Sequence, residues 1–485
     1  MPHEAVQRGA NIDRTPADTL ARIATASDRL SVTPDGELLI EGVRASDLLQ
    51  AHGSPLYVVS EDTLRTNFRR VRKSFSEAWP TAVRILYAIK ANNNLAIRAI
   101  LYQEGAGGDC FGEGELYATF MGGADPDRIV LNGSSKTYDD VERAAGLGVR
   151  INIDAEEEID FVQRAAARLG RIVRVNLRLK VIPEELRDLG SDYLGIRKGE
   201  DMIAALRGEK WGASLELAAP MIERLRNMTG VVLEGYHSHL GRLSALPSAY
   251  VGQARTLADM VVKLHQLTGF APRLLDIGGG WARERDPESR TLALNPHTIE
   301  DYAQASCAAL LERFAAAKIA APELWVEPGR YIAGNAVMLL TRVGSIKRDL
   351  GQVWVHVDAS SNNLMRVDTS DSAYHIIPAT GMTRPYRETA MIVGPTCIPS
   401  IMGKARAVPQ LERNDPLVIL DAGMYAETGS TQYSGMPRPA TVLVNGEGVE
   451  VIKLRETVQD VFHLHRIPER LRAGPPGVNV NPIAD

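Results

Sequence analysis

The sequence predicts an α/β chain: a TIM-type (β/α)8 barrel followed by an all-β domain. Three observations predict it. Eight short apolar runs alternate with helical patterns between residues 83 and 326. The runs are predominantly apolar, as strands covered on both faces of a parallel sheet tend to be. Polar and glycine-rich clusters follow the runs, on the face where such barrels carry their sites.

The elements follow in order. Pro34-Asp35-Gly36 is a turn signal before a strand over 38–43. A short helix over 46–52 is stopped by Gly53 and Pro55, and 56–59 reads as a buried strand. Ser60 is a good helix cap, with Thr63 at the third helical position and acidic residues in the first turn. Barrel strands are expected over 83–88, 108–110, 129–131, 151–154, 173–179, 231–237, 274–277 and 324–326. Helices are expected over 94–104, 114–121, 138–147, 155–169, 247–268 and 296–317. Residues from about 181 to 209, with Pro183, Glu184 and Glu185, read as an insertion in a strand-to-helix loop and a candidate lid. After Gly334 the runs over 337–343, 353–357, 389–393, 417–420, 440–444 and 449–454 are β-rich and turn-separated. The expected division is 1–55, a leader with strands joining the β domain; 56–334, the barrel; and 335–485, the β domain.

Composition narrows the function. The chain has 485 residues, 45% hydrophobic and 24% charged, with a net charge of -5, which gives no reason to expect nucleic acid or an acidic membrane as partner. Cys110, Cys307 and Cys397 are too scattered for a zinc site or a disulfide framework, so a reducing compartment and no metal are expected. The first residues are polar, and no stretch approaches the roughly 20 apolar residues of a membrane span. A cytoplasmic protein is the expectation.

Chemistry gathers after the strands. Lys90, in Tyr87-Ala88-Ile89-Lys90-Ala91-Asn92, ends a buried strand. Desolvation there favours a neutral amine able to form a Schiff base; the alternative is a lysine reaching for solvent. Asp276-Ile277-Gly278-Gly279-Gly280 offers backbone N–H groups to a phosphate, or is a plain tight turn. In Glu327-Pro328-Gly329-Arg330, Glu327 can pair with a ring nitrogen and Arg330 with a phosphate or carboxylate, or the two form a loop ion pair. His237 and His239 point the same way. No neighbouring acid suggests a metal, so a ring stacked on a flat ligand fits better. Cys397, in Gly394-Pro395-Thr396-Cys397, is a proton donor or an inert thiol.

Together with Gly423-Met424-Tyr425, these motifs resemble the fold-type-III pyridoxal-phosphate decarboxylases, the diaminopimelate and ornithine decarboxylase family, from about residue 38 to 471. The resemblance implies an alanine-racemase-like barrel and pyridoxal 5′-phosphate as cofactor. It implies that Lys90 holds the cofactor, Asp109 sits beside it, and His239 stacks on the ring. Gly278, Gly279, Gly280 and Tyr425 would hold the phosphate, with Arg330 close to phosphate or substrate. Glu327 would pair with the ring nitrogen, and Arg178 would brace the site. Arg366 matches a substrate-carboxylate arginine, and Tyr425 also borders the substrate. A homodimer is implied, with Cys397 entering the partner's site.

The chain departs from the family where the substrate binds. Arg242 stands in place of a serine, Ile398 and Pro399 follow the motif cysteine where the family has an acid, and Ser370 replaces a tyrosine. The expectation is decarboxylation of an amino acid, or of a conjugated or carrier-linked one, other than diaminopimelate or a simple diamine precursor. The distal end is expected to be uncharged, acidic or bulky, with Asp368 and Asp371 the fallback acids for an ammonium. The rival readings are a racemase or epimerase on the same fold and a non-catalytic pyridoxal-phosphate carrier.

Overall fold

The computed structural model describes residues 14–188, 201–242, 245–369, 371–446 and 448–471. Residues 189–200 of the expected insertion and Ser370 lie outside them.

Eight parallel strands close into a barrel. They are β1 (Val83–Ala88), β2 (Gly107–Phe111), β3 (Ile129–Asn132), β4 (Arg150–Ile153), β5 (Val173–Arg178), β6 (Val231–His237), β7 (Leu274–Asp276) and β8 (Glu323–Val326). Each pairs with its neighbours in sequence, and β8 closes on β1 through Leu324↔Val83 to Val326↔Ile85. The eight strands and their type are those the sequence predicts.

Inward side chains recur every second residue along each strand, so the barrel fills in layers. Leu86, Val130, Leu274 and Trp325 pack as one buried cluster. Arg150 lies 5.0 Å over the Trp325 ring. Two residues further on from Val130, Leu274 and Trp325 the side chains turn polar, at Asn132, Asp276 and Glu327, and beyond Leu86 the chain leads through Ala88 to Lys90. The apolar layer thus plugs the barrel, and the next layer is the floor of a site.

Around the barrel, helices bury one face each. In Glu61–Ala78 the Ser60 hydroxyl accepts the Thr63 N–H at 3.2 Å, satisfying one orphan donor of the first turn. Leu64, Phe68, Val71 and Phe75 recur at helical spacing and are all fully buried. Truncating Phe68 to alanine is expected to cost about 3–5 kcal/mol.

The strand Leu56–Ser60 does not enter the barrel. It is hydrogen-bonded between Val337–Asp349 and Ala440–Asn445 in the β sheet. Leu30–Val32, Leu38–Ile40 and Val43–Arg44 make a small sheet of their own. Leu38 and Ile40 still share a core with Val418, Leu420 and Val442. Arg285 pins these parts together: it donates to the Ile23 carbonyl (2.9 Å) and to Asp28 (2.8 Å), and pairs with Asp421. Removing one partner of such a buried set is expected to cost roughly 3–5 kcal/mol.

Several elements differ from expectation, the helix Pro16–Ile23 within the expected leader among them. No helix is anticipated in 210–230, yet Leu215–Arg226 is helical, capped by Ser214, with Pro220 inside it. Proline reads as a breaker, but Ala218, Met221, Ile222 and Leu225 give the helix a buried face. The strands Ile376–Pro378 and Ile401–Val408 are also additional. Lys404, Arg406 and Gly403 interrupt the apolar pattern of the latter, whose pairing with Glu388–Val393 carries register shifts. Within the expected insertion the described part includes a short helix, Met202–Gly208.

Candidate active site

The floor is a directional chain of amides. Asn176 Nδ2 donates to Asn152 Oδ1 (2.9 Å), and Asn152 Nδ2 donates to Asn132 Oδ1 (2.7 Å). Asn132 Nδ2 then reaches Asp109 Oδ1 (2.6 Å) and Glu327 Oε1 (3.0 Å). Three consecutive barrel strands each contribute one asparagine, so the amide protons all run toward the two carboxylates. The sequence reading misses this ladder. Its signal is one asparagine in each of three successive apolar strands, where a polar side chain must find a partner.

Lys90, on the turn after β1, donates from Nζ to Asp109 Oδ2 at 2.8 Å. Its ammonium also lies 4.8 Å over the Phe111 ring. Burial pulls the lysine toward neutrality, but Asp109 and Glu327 outweigh it and raise it above the ordinary lysine value. The expectation of a desolvated, neutral Lys90 is therefore corrected: facing these carboxylates it is an ammonium. Asp109, fully buried, is itself raised by burial and Glu327 and lowered by Lys90.

His237, Asp276 and Glu327 converge, with ligand-type atoms within 4.8 Å of one another. The acids missing from the sequence around the histidines are supplied by β7 and the end of β8. His237 Nε2 lies 3.3 Å from Glu327. Burial and Glu327 hold the Asp276 carboxyl well above the usual range. Burial keeps His237 neutral. His239 is pushed down to about 3 by burial and Lys90, in keeping with its Nδ1 accepting the Gly279 N–H at 2.9 Å.

The glycine turn has no room for side chains. A Cβ on Gly278 would lie 2.4 Å from His239 Nδ1, and one on Gly279 would lie 2.1 Å from the Glu327 carbonyl. The missing side chains thus let the turn touch both the histidine and the end of β8.

Arg178 spans the rim of the barrel. Its Nε is 3.9 Å from Asp154 and its guanidinium lies 4.5 Å over Trp211. Its Nη1 is buried with no hydrogen-bond partner among the described residues. Lys90, Phe111, Arg178, Trp211, His239 and Gly241 line a cavity of about 320 Å³.

A second cluster adjoins this one. The Tyr425 N–H donates to the Ala91 carbonyl at 2.7 Å, placing that tyrosine beside the Lys90 turn. Arg366 and Arg330 lie 4.8 and 5.6 Å from its ring centre. Asp286 bridges Arg242 (3.3 Å) and Arg330 (3.4 Å), one carboxylate oxygen to each. Glu288 pairs with Arg330 and, at 3.4 Å, with Arg366. Asp286 and Glu288 are buried acids that the sequence reading does not single out.

Cys397 stands apart. It is exposed, with its sulfur 2.9 Å from the Tyr433 hydroxyl. That hydrogen bond lowers the thiol below its ordinary value. Of the expected site residues, Lys90, Asp109, Arg178, His239, Gly278, Gly279, Gly280 and Glu327 meet at the barrel mouth. Arg330, Arg366 and Tyr425 adjoin them.

A lysine, a buried acid and a glycine turn at the mouth of a (β/α)8 barrel are the groups a pyridoxal-phosphate site calls for. Residues 61–334 match the family model described as "Pyridoxal-dependent decarboxylase, pyridoxal binding domain". The chain belongs to the pyridoxal-dependent decarboxylases; it is a pyridoxal-phosphate-dependent carboxy-lyase. It is 33% identical over 443 residues to the diaminopimelate decarboxylase of Methanothermobacter thermautotrophicus, covering 91% of this chain and 98% of that one. It is 31% identical over 443 residues to that of Archaeoglobus fulgidus, covering 90% and 99%. The crystal structure of the M. jannaschii diaminopimelate decarboxylase with L-lysine superposes with a TM-score of 0.84 at 27% identity, covering 92% of this chain and 100% of that one.

These relatives overturn the expectation of a substrate other than diaminopimelate. That expectation rests on Ile398, which offers no carboxylate beside Cys397. The reasoning covers one sequence neighbourhood, whereas the fold packs Glu288, from the loop after β7, against Arg366. Asp368 and Asp371, the fallback acids, are exposed, and Asp371 faces Lys404 at 3.8 Å. The rival readings, racemase and non-catalytic carrier, give way to a carboxy-lyase. No helix among the described residues is long and apolar enough to cross a membrane.

Proposed function

We propose that this chain decarboxylates diaminopimelate, releasing carbon dioxide and lysine, as a cytoplasmic homodimer. The observation that carries the reading is the Lys90–Asp109 pair at 2.8 Å. It sits at the barrel mouth of a chain that relatives named for this reaction match over nine-tenths of its length. The free cysteines support the compartment.

The residues fit pyridoxal 5′-phosphate. Lys90 would hold it covalently, and His239 would cover the ring face. Gly278, Gly279, Gly280 and Tyr425 would take the phosphate, with Arg330 close by. Glu327 would accept from the ring nitrogen. Arg178 Nη1, a buried donor without a partner among the described residues, is one more group left for it. Bound there, the cofactor supplies an electron sink for the pair left by the departing carboxylate.

The chain's own groups move the protons. Lys90 Nζ must lose a proton before its amine can attack, and Asp109 Oδ2 is placed to receive it. Asn132 and His237 hold Glu327 in place from two sides. Arg366 would take the carboxylate of the substrate's distal end. Cys397 Sγ, on the β domain, would return a proton to the carbon that lost carbon dioxide, entering the partner subunit's site.

The test is product analysis with meso-diaminopimelate. Carbon dioxide and lysine should appear in equal amounts; neither product from cofactor-loaded protein overturns the reading. For shared sites, Lys90→Ala and Cys397→Ala proteins, each nearly inactive, are mixed. Random exchange makes half the dimers hybrid with one intact site, so about a quarter of wild-type activity should return. No recovery despite demonstrated exchange overturns the shared site.

A further inference from the structure

We propose that Glu288 selects the substrate by receiving the distal ammonium while Arg366 receives the carboxylate beside it. The inference rests on the diaminopimelate reading and names the residue that distinguishes the far end.

Chemistry sets the requirement. Diaminopimelate carries two amino-acid ends, and only one loses its carboxylate. The other enters intact, an ammonium and a carboxylate on one carbon. A buried ammonium without a carboxylate is penalised by several kcal/mol, roughly. The complement of such an end is an ion pair, with arginine for the carboxylate and an acid for the ammonium.

The structure holds such a pair beside the site. Arg366 lies over Tyr425, and Tyr425 is hydrogen-bonded to the turn that carries Lys90. The Glu288 side chain is 1% exposed and that of Arg366 is 26% exposed, so the pair has a sealed inner end and an open outer one. On the inner side Glu288 is fixed by Arg330. On the outer side its contact with Arg366 is loose, at 3.4 Å. A substrate end that brings its own carboxylate to Arg366 relieves Glu288 of that partner and offers an ammonium in its place.

The other acids of the arginine cluster and of the fallback positions near Arg366 are spent or exposed. Asp286 is held by Arg242, Arg330 and the Glu288 N–H. Asp368 and Asp371 are exposed, and position 398 is isoleucine. The sequence signal is faint: Glu288 lies in Arg283-Glu284-Arg285-Asp286-Pro287-Glu288, a densely charged run with no apolar pattern. In the fold Arg283, Arg285, Asp286 and Glu288 are all buried.

The experiment compares meso-diaminopimelate with 2-aminopimelate, which keeps the distal carboxylate and lacks the distal amine. Wild type is expected to prefer diaminopimelate in kcat/KM by a hundredfold or more. Glu288→Gln should lower that preference at least tenfold, mainly through the KM for diaminopimelate, with 2-aminopimelate little changed. Glu288→Asp, which keeps the charge, should retain most of the preference, and it carries the test if the glutamine variant does not fold. A purely structural Glu288 would depress both substrates together and leave the ratio unchanged, which overturns the proposal. So would loss of the preference in Glu288→Asp equal to that in Glu288→Gln. A wild type that releases no carbon dioxide from diaminopimelate overturns the proposed function itself, a different result from turnover with an unchanged ratio.

Discussion

The barrel floor and the arginine cluster at its rim are both made of buried charge, and they are built in opposite ways. On the floor, Asp109 comes from within β2 and Asp276 and Glu327 from the ends of β7 and β8, and neutral donors partner them: Asn132, His237 and the Gly278 N–H. Among the described residues Lys90 is the one cation in direct contact with those acids. At the rim, Arg242, Arg330 and Arg366 are braced by Asp286 and Glu288, which a loop supplies. The floor keeps its negative charge facing a lysine. The rim compensates its positive charge until an anion arrives. A rigid strand layer suits chemistry that must be held to fractions of an ångström, while a loop cluster suits recognition that differs between substrates.

If the division holds, the largest effect belongs to the floor. Lys90→Ala should abolish the visible absorption of the cofactor-bound protein and lower kcat by at least about a thousandfold, since it removes the nucleophilic amine. Borohydride reduction of wild type followed by peptide mapping should place the label on Lys90. A label on Lys136 or Lys180 would move the reacting centre and break the comparison at its base.

A smaller effect tests whether the amide ladder is part of the floor. Asn152→Leu leaves Asn132 Oδ1 without a donor and Asn176 Nδ2 without an acceptor, both buried. Each orphaned group is expected to cost about 1–3 kcal/mol. The melting temperature should fall by roughly 2–6 °C for a chain of this size, with kcat falling because Asn132 loses its brace against Asp109 and Glu327. Unchanged melting with normal kcat would show the ladder to be dispensable.

Much of the floor is legible in the sequence because the barrel imposes a period. Eight apolar runs give the strands, and a polar residue two positions past an apolar one marks where the site begins, as in Leu274 and Asp276 or Trp325 and Glu327. Lys90, His239 and the glycines stand on such strand ends, so local pattern and global position agree. The rim is not legible in that way. Asp286 and Glu288 lie in an irregular loop, and only tertiary packing brings them to Arg330 and Arg366. The search for an acid beside Cys397 fails for this reason: adjacency in sequence stands in for adjacency in space. The unassigned helix Leu215–Arg226 is a milder case, since Pro220 lies inside it and a buried apolar face outweighs the cost of that proline.

The smallest effect sharpens where the floor ends. Glu115, in the helix Glu113–Met121, accepts the Phe111 N–H at 2.7 Å, just past Asp109 on β2. Burial pushes its carboxyl up from 4.5 to about 7; the Phe111 N–H opposes that and Asp109 adds to it. Between those two pH values the folded chain holds a proton that the unfolded chain has released. Stability from this group is therefore fully present below pH 4.5 and is lost as pH rises through about 7. Glu115→Gln keeps an oxygen for the Phe111 N–H and cannot ionise, so it should remove this descending limb. Unfolding free energies at pH 5 and pH 8 make the measurement. The variant should gain on wild type by about 1–2 kcal/mol at the higher pH, a figure discounted for the partial exposure of Glu115. If the difference between variant and wild type is the same at both pH values, burial beside the floor does not hold a proton on Glu115, and the proton-holding layer ends at Asp109.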